Sequence, residues 1–134
     1  MAGATVVDPD VEKGRELCAI LKQVTELRVE AAFWWQEDDE WRFLVATPVV
    51  HEEGRLAAHR KIRDAVGPGR LQEFRSLLDR LDVLSPSESL ITVLDIGSER
   101  EVPLHRRIVR EAVRSVYVEG AYFYLFAPRT FAPA

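Results

Sequence analysis

At 134 residues, with 47% hydrophobic and 30% charged side chains, the chain holds one domain's worth of sequence and enough apolar content for a single core. Its one cysteine, Cys18, excludes an intramolecular disulfide scaffold, and a net charge of −4 weighs against a protein whose main task is to coat nucleic acid. Residues 1–53 carry 12 acids and 5 bases (−7) and residues 54–134 carry 10 acids and 13 bases (+3), so the charge is dipolar along the chain.

The opening MAGATVVDPD lacks a basic segment followed by an apolar one, and no uncharged run approaches the ~18 residues of a membrane span. A cytoplasmic protein is the expectation. Residues 1–7 and 128–134 read as flexible tails or interface segments, the latter bracketed by Pro128 and Pro133 and carrying Phe131.

The first predicted element is a helix over Pro9–Leu27. Asp8 is placed to cap it, Pro9 suits the first helical position, and Leu17, Ile20, Leu21, Val24 and Leu27 form one apolar stripe. Gly14 is expected only to weaken the first turn. Cys18 lies beside the stripe with no CxxC partner, which favours packing over a nucleophile.

The stretch FWWQEDDEWRFLVATPVV follows, with all three tryptophans around the acidic tract Glu37–Glu40. Two strands joined by a charged turn explain this layout, at 28–36 and 41–49, because aromatic and β-branched residues suit a pleated surface. Pro48 marks a strand end or an edge. After it, His51-Glu52-Glu53-Gly54 fails the zinc-protease HExxH pattern, since Arg55 stands where the second histidine is required. Strand exit into helix entry is the favoured reading there. Glu30, His51, Glu52 and Glu53 are nevertheless the candidate polar site, and Glu30 with Asp38 or Glu52 is the only pairing that suggests a divalent metal. An edge glutamate facing water is the preferred account of Glu30, and no cofactor or metal is expected.

Residues 55–66 have the apolar face Ala58, Ile62, Ala65 and Val66, which predicts a helix with His59 at the margin of its stripe. Gly67-Pro68-Gly69 stops it and lacks any phosphate-loop pattern. Leu71, Phe74, Leu77, Leu78 and Leu81 predict a second amphipathic helix. A short strand is expected over 82–85. Ser85-Pro86-Ser87-Glu88 has the form of a capping box, so a helix to about Leu94 is preferred over the strand that Leu90–Val93 suggests.

Leu104, Ile108, Val109, Ala112, Val113 and Val116 fall at helical spacing, which predicts a helix over 103–115. Arg107, Arg110 and Arg114 then form a basic stripe and are the candidate anion- or partner-binding residues. No aromatic platform is interleaved with them, so a solvated face is favoured over nucleic-acid binding. Val116–Phe126 reads as two strands about a turn at Glu119-Gly120, or as one strand with a bulge; either would use glycine for positive φ.

Trp41-Arg42-Phe43-Leu44-Val45-Ala46-Thr47-Pro48, Glu52-Glu53-Gly54, Val83-Leu84-Ser85-Pro86 and Tyr117-Val118-Glu119-Gly120-Ala121-Tyr122-Phe123-Tyr124, in this order, resemble segments of a family of small uncharacterised bacterial proteins. Those carry W-R-x-x-[IV]-A-T-P, E-E-G, V-S-P and Y-[IV]-E-D-A-Y-[IV]-Y. The resemblance covers about residues 28–126 and is specific as a combination. It implies one α+β domain, a helix after Ser85, and a more extended chain through Arg114 than the spacing suggests. It implies no reaction. Gly120 stands where the family usually has aspartate, and His59 where it has tyrosine.

The expected architecture is therefore a single α+β domain. An N-terminal helix, a central antiparallel hairpin at 28–36 and 41–49, two to four further helices and a C-terminal strand at about 121–127 complete a small sheet. The functional expectation is a non-catalytic module that docks a protein partner or forms a homodimer. The alternative is a metal-dependent or nucleic-acid-processing enzyme using the hairpin carboxylates and the arginine stripe.

Overall fold

The computed structural model describes residues 9–95, 102–113 and 116–127. Five strands form one mixed sheet: β1 (Ala31–Glu37), β2 (Glu40–Ala46), β3 (Leu81–Leu84), β4 (Arg107–Val113) and β5 (Val116–Phe126), in the order β3-β2-β1-β5-β4. Only β2 and β3 run parallel. The helices are α1 (Val11–Lys22), α2 (Val49–Glu53), α3 (Arg55–Val66), α4 (Arg75–Leu78) and α5 (Ser89–Asp95). The class is α+β, as the sequence implies.

The hairpin is the centre of the sheet. Asp38 and Asp39 take φ of 55° and 65°, the two left-handed residues that a two-residue turn of the right twist requires. Along β1 the side chains alternate faces without a gap: Ala32 and Trp34 enter one core, Ala31, Phe33 and Trp35 the other. Both faces are covered, so the strand is apolar throughout rather than alternating with polar residues. The first core lies under α1, α3 and α4, where Leu17, Leu21, Ile62, Phe74 and Leu77 meet Trp34 and Phe43. The second lies under α5, where Ile91 and Leu94 meet Phe33, Leu44 and Phe123. Phe33 stacks on Phe123 with ring centroids 4.5 Å apart.

Several expectations are corrected. The first helix is capped by Asp10, whose carboxylate accepts from the Lys13 amide at 3.0 Å, and it ends at Lys22; Thr25–Leu27 form a separate 3-10 turn. Arg28 closes that turn with φ of 46°, so β1 cannot begin before it. Asp8 lies outside the described residues. Gly14 does more than weaken a turn. A Cβ there would sit 2.3 Å from the Tyr124 hydroxyl and 2.9 Å from Trp34 Nε1, so this glycine lets α1 approach the sheet. Gly120 likewise supplies space rather than positive φ: a Cβ would meet Trp41 Cη2 at 2.8 Å.

The amphipathic run from Leu71 makes only the one-turn α4, because Leu81 already belongs to β3. The helix after Ser85 forms, yet it starts at Ser89. The Ser85 hydroxyl instead accepts from the Ser87 amide at 3.2 Å in a local turn.

The largest correction is 103–115, where the described residues form β4 rather than a helix. Arg110 takes φ of 48° between the paired residues Val109–Gly120 and Glu111–Val118. Ile108 and Val113 both enter the second core although five residues separate them, and so do Val118 and Ala121 on β5. Regular alternation would put each pair on opposite faces. The β4–β5 ribbon is thus kinked at Arg110 and Gly120 and folds its far end over the second core. Glu119-Gly120 lies within one strand.

Candidate functional site

Three of the candidate polar residues, Glu30, Glu52 and Glu53, lie near one cation, Arg28. Glu52, on α2, holds Arg28 with both carboxylate oxygens, one of them 3.0 Å from Arg28 Nη1. Glu52 first, then Glu30 and Glu53, raise the affinity of the Arg28 guanidinium for its proton, and the same contact pulls the Glu52 carboxyl below its ordinary range. Glu53 also lies 3.9 Å from Lys61. His51 is exposed on α2 and adds to the positive field at Glu52. Glu30 is not an edge residue: its amide donates to Ala46 O and its carbonyl accepts from the Ala127 amide, each at 2.8 Å. Glu52 thus ties the entry of β1 to α2 through Arg28, with Glu30 and Glu53 near enough to act on the same guanidinium. Among the described residues no cluster of three or more histidine, cysteine or acidic side chains could hold a metal ion.

Thr47, which enters the sequence reading only as part of the A-T-P segment, anchors this corner. It is fully buried, its hydroxyl donates to Leu27 O and accepts from the Val49 amide at 3.2 Å, and its own amide donates to Leu84 O at 2.9 Å. One side chain thereby joins the 3-10 turn, β3 and α2.

The arginines separate. Arg107 lies over the Trp41 ring at 5.1 Å, and Arg110 occupies the kink of β4. Arg114 lies outside the described residues. Arg106, not singled out by the helical spacing, pairs with Glu111 at 3.2 Å and 3.3 Å. The strand geometry thus dissolves the basic stripe into residues with different tasks.

On the outward side of the same ribbon, Val109 is 55% and Tyr117 67% exposed, with Ala112 also exposed opposite Tyr117. Leu104 is exposed just before β4. These residues face away from both cores, and β4 is an outermost strand. The opposite outermost strand is different: on β3 the apolar residues Leu81, Val83 and Leu84 are all buried.

Two of the openings among the described residues bear on the site. An acidic cleft of about 560 Å³ lies between the β1–β2 turn and the start of β3, with Asp39, Glu40, Asp79 and Asp82 facing Arg42 and Arg80. Asp82 is already shared between Arg42 and Arg55, each 3.9 Å away. A smaller, mostly apolar cavity of about 190 Å³ opens at the end of α1, with Cys18 in its wall. Burial pushes the Cys18 thiol up to about 12, which leaves it protonated and unreactive at neutral pH.

No protein-family model, no curated protein and no solved structure matches this chain. No helix among the described residues is long and apolar enough to cross a membrane.

Proposed function

We propose that this domain is a non-catalytic interaction module that docks a protein partner, or a second copy of itself, through the outward face of the β4–β5 ribbon. The observation that carries this reading is the exposure of Val109 and Ala112 on the outermost strand β4 and of Tyr117 on the adjoining β5, with Arg106, Arg107 and Arg110 also exposed at or within β4. A large aromatic ring and arginine are the residue types enriched where proteins bind one another. The reading places the protein in a bacterial cytoplasm, in keeping with the resemblance of its segments, and assigns it no nucleic acid. The enzyme alternative draws no support from the geometry, because Glu52 and its neighbours are organised by Arg28 rather than around an open position.

A photo-crosslinking residue at Tyr117 and, as a control, at the equally exposed Leu56 on α3 tests this. Crosslinking at 117 to one defined species, a second copy or a single partner, is expected, and Val109→Asp abolishes it. Equal crosslinking at 56 and 117, or none at 117, overturns the reading. Light scattering across concentration decides between a homodimer and a different partner.

A further inference from the structure

The small cavity at the end of α1 has a construction that packing does not require. Its walls are Leu21 and Cys18 of α1, Val24, Val29, Ala32 of β1 and Leu125 of β5. Two features of the sheet open it. Ala32 has only a methyl group on a face where Trp34 and Phe43 otherwise fill the space. Beside it the β1–β5 register shifts between Ala32 and Phe33, pairing Ala32 with Leu125 and Phe33 with Phe123, so Tyr124 is an extra residue that re-aims the end of β5. Bulges of this kind are common beside binding sites because they redirect a side chain.

The mouth is polar. Lys22, Thr25 and Arg28 line it, and no carboxylate does. Arg28 is occupied by Glu52, whereas the Lys22 ammonium makes no ion pair among the described residues. An apolar chamber with a lysine outside any ion pair among the described residues and a hydroxyl at its entrance is complementary to an apolar body bearing one anionic head. Its size limits the body: a dry apolar cavity of about 150 Å³ takes a guest the size of benzene, and this one is about 190 Å³.

We propose that this cavity is a binding site for a small amphipathic carboxylate, with a chain or ring of about six carbons seated between Leu21, Ala32 and Leu125 and its carboxylate at Lys22 and Thr25. This goes beyond the docking role of the ribbon, since none of these residues belongs to β4 or to the outward face of β5's far end.

Titration of the full chain with hexanoate, followed by amide chemical shifts, tests the proposal. Saturable shifts at Leu21, Val24, Ala32 and Leu125 are expected, with hexylammonium binding more weakly. Lys22→Glu, an exposed substitution, lowers hexanoate affinity about fivefold, the upper value of one exposed ion pair. Ala32→Leu fills the chamber and abolishes binding; if that variant does not fold, Lys22→Glu alone decides. Shifts elsewhere, no saturation, or equal affinity for hexanoate and hexylammonium overturn the proposal. So does binding that occurs only in a chain ending at Ala127, because the cavity would then belong to residues 128–134.

Discussion

The hydroxyl of Thr47 donates its hydrogen bond to the carbonyl of Leu27, twenty residues earlier in the chain, and both residues are fully sealed from solvent. A valine at 47 keeps the shape but removes the donor to Leu27 and the acceptor for Val49. Buried groups left without partners cost about 1–3 kcal/mol. Thr47→Val is expected to lower the urea midpoint accordingly with an unchanged slope, whereas Thr47→Ser retains most of the stability. A larger loss for Thr47→Ser than for Thr47→Val would show that the methyl group, not the hydroxyl, matters.

Gly14→Ala should destabilise, against intrinsic helix propensity. In an open helix the change stabilises by roughly 1 kcal/mol. Here the new methyl group meets the Tyr124 ring, whose hydroxyl is held at 2.6 Å by Val11 O, and the buried Trp34 indole. Overpacking of this kind costs about 1–3 kcal/mol, so a net loss is expected by chemical denaturation. A gain in midpoint would contradict the close approach of α1.

Acid should loosen the contact between α1 and the loop before α4. Glu73 accepts from Arg70 at 3.0 Å and from Lys13 at 2.8 Å, and those two contacts, Arg70 first, pull its carboxyl from 4.5 down to about 2. A depressed carboxylate contributes stability that is present above its unfolded value and lost as pH falls through the folded one. The contribution is thus whole above about pH 4.5 and fades toward pH 2. Glu73→Gln should flatten that part of the stability curve, and high salt should mimic it because these groups are exposed. An unchanged acid limb in the variant would refute this.

Cys18 should be silent to thiol reagents in the folded protein. Its thiol is buried and pushed up to about 12 by that burial. Modification by a neutral-pH disulfide reagent is expected to follow unfolding, with a rate that rises with urea. Rapid labelling in buffer would show that the cavity beside it breathes.

The parts of the fold that depend on near neighbours in the chain are legible in the sequence. The existence and type of the β1–β2 hairpin, α3, the stop at Gly67 and the short β3 follow from local patterns, though the strand ends shift: β1 runs Ala31–Glu37 rather than 28–36, β2 Glu40–Ala46 rather than 41–49, and β3 Leu81–Leu84 rather than 82–85. Residues 107–113 fail for an identifiable reason. The left-handed Arg110 resets the alternation of the strand, so Ile108 and Val113 share the buried face, and with the exposed Val109 and Ala112 they fall at three- and four-residue spacings that imitate a helix. Only the pairing with β5 reveals it. Leu81 fails similarly, since one apolar spacing runs unbroken from α4 into β3.

The site divides along the same line. His51, Glu52 and Glu53 are neighbours in the sequence, but Glu30 and Arg28 precede them by some twenty residues, and the Arg28–Glu52 contact exists only because the start of β1 lies beside the end of β2. The roles of Thr47, Gly14 and Gly120 depend on atoms twenty or more residues away, as does the exposure of Tyr117. Local propensity and periodicity are properties of a segment and survive in the sequence. Which groups meet, which backbone must pass closely, and which apolar side chain is left facing water are decided only when the sheet closes over its two cores.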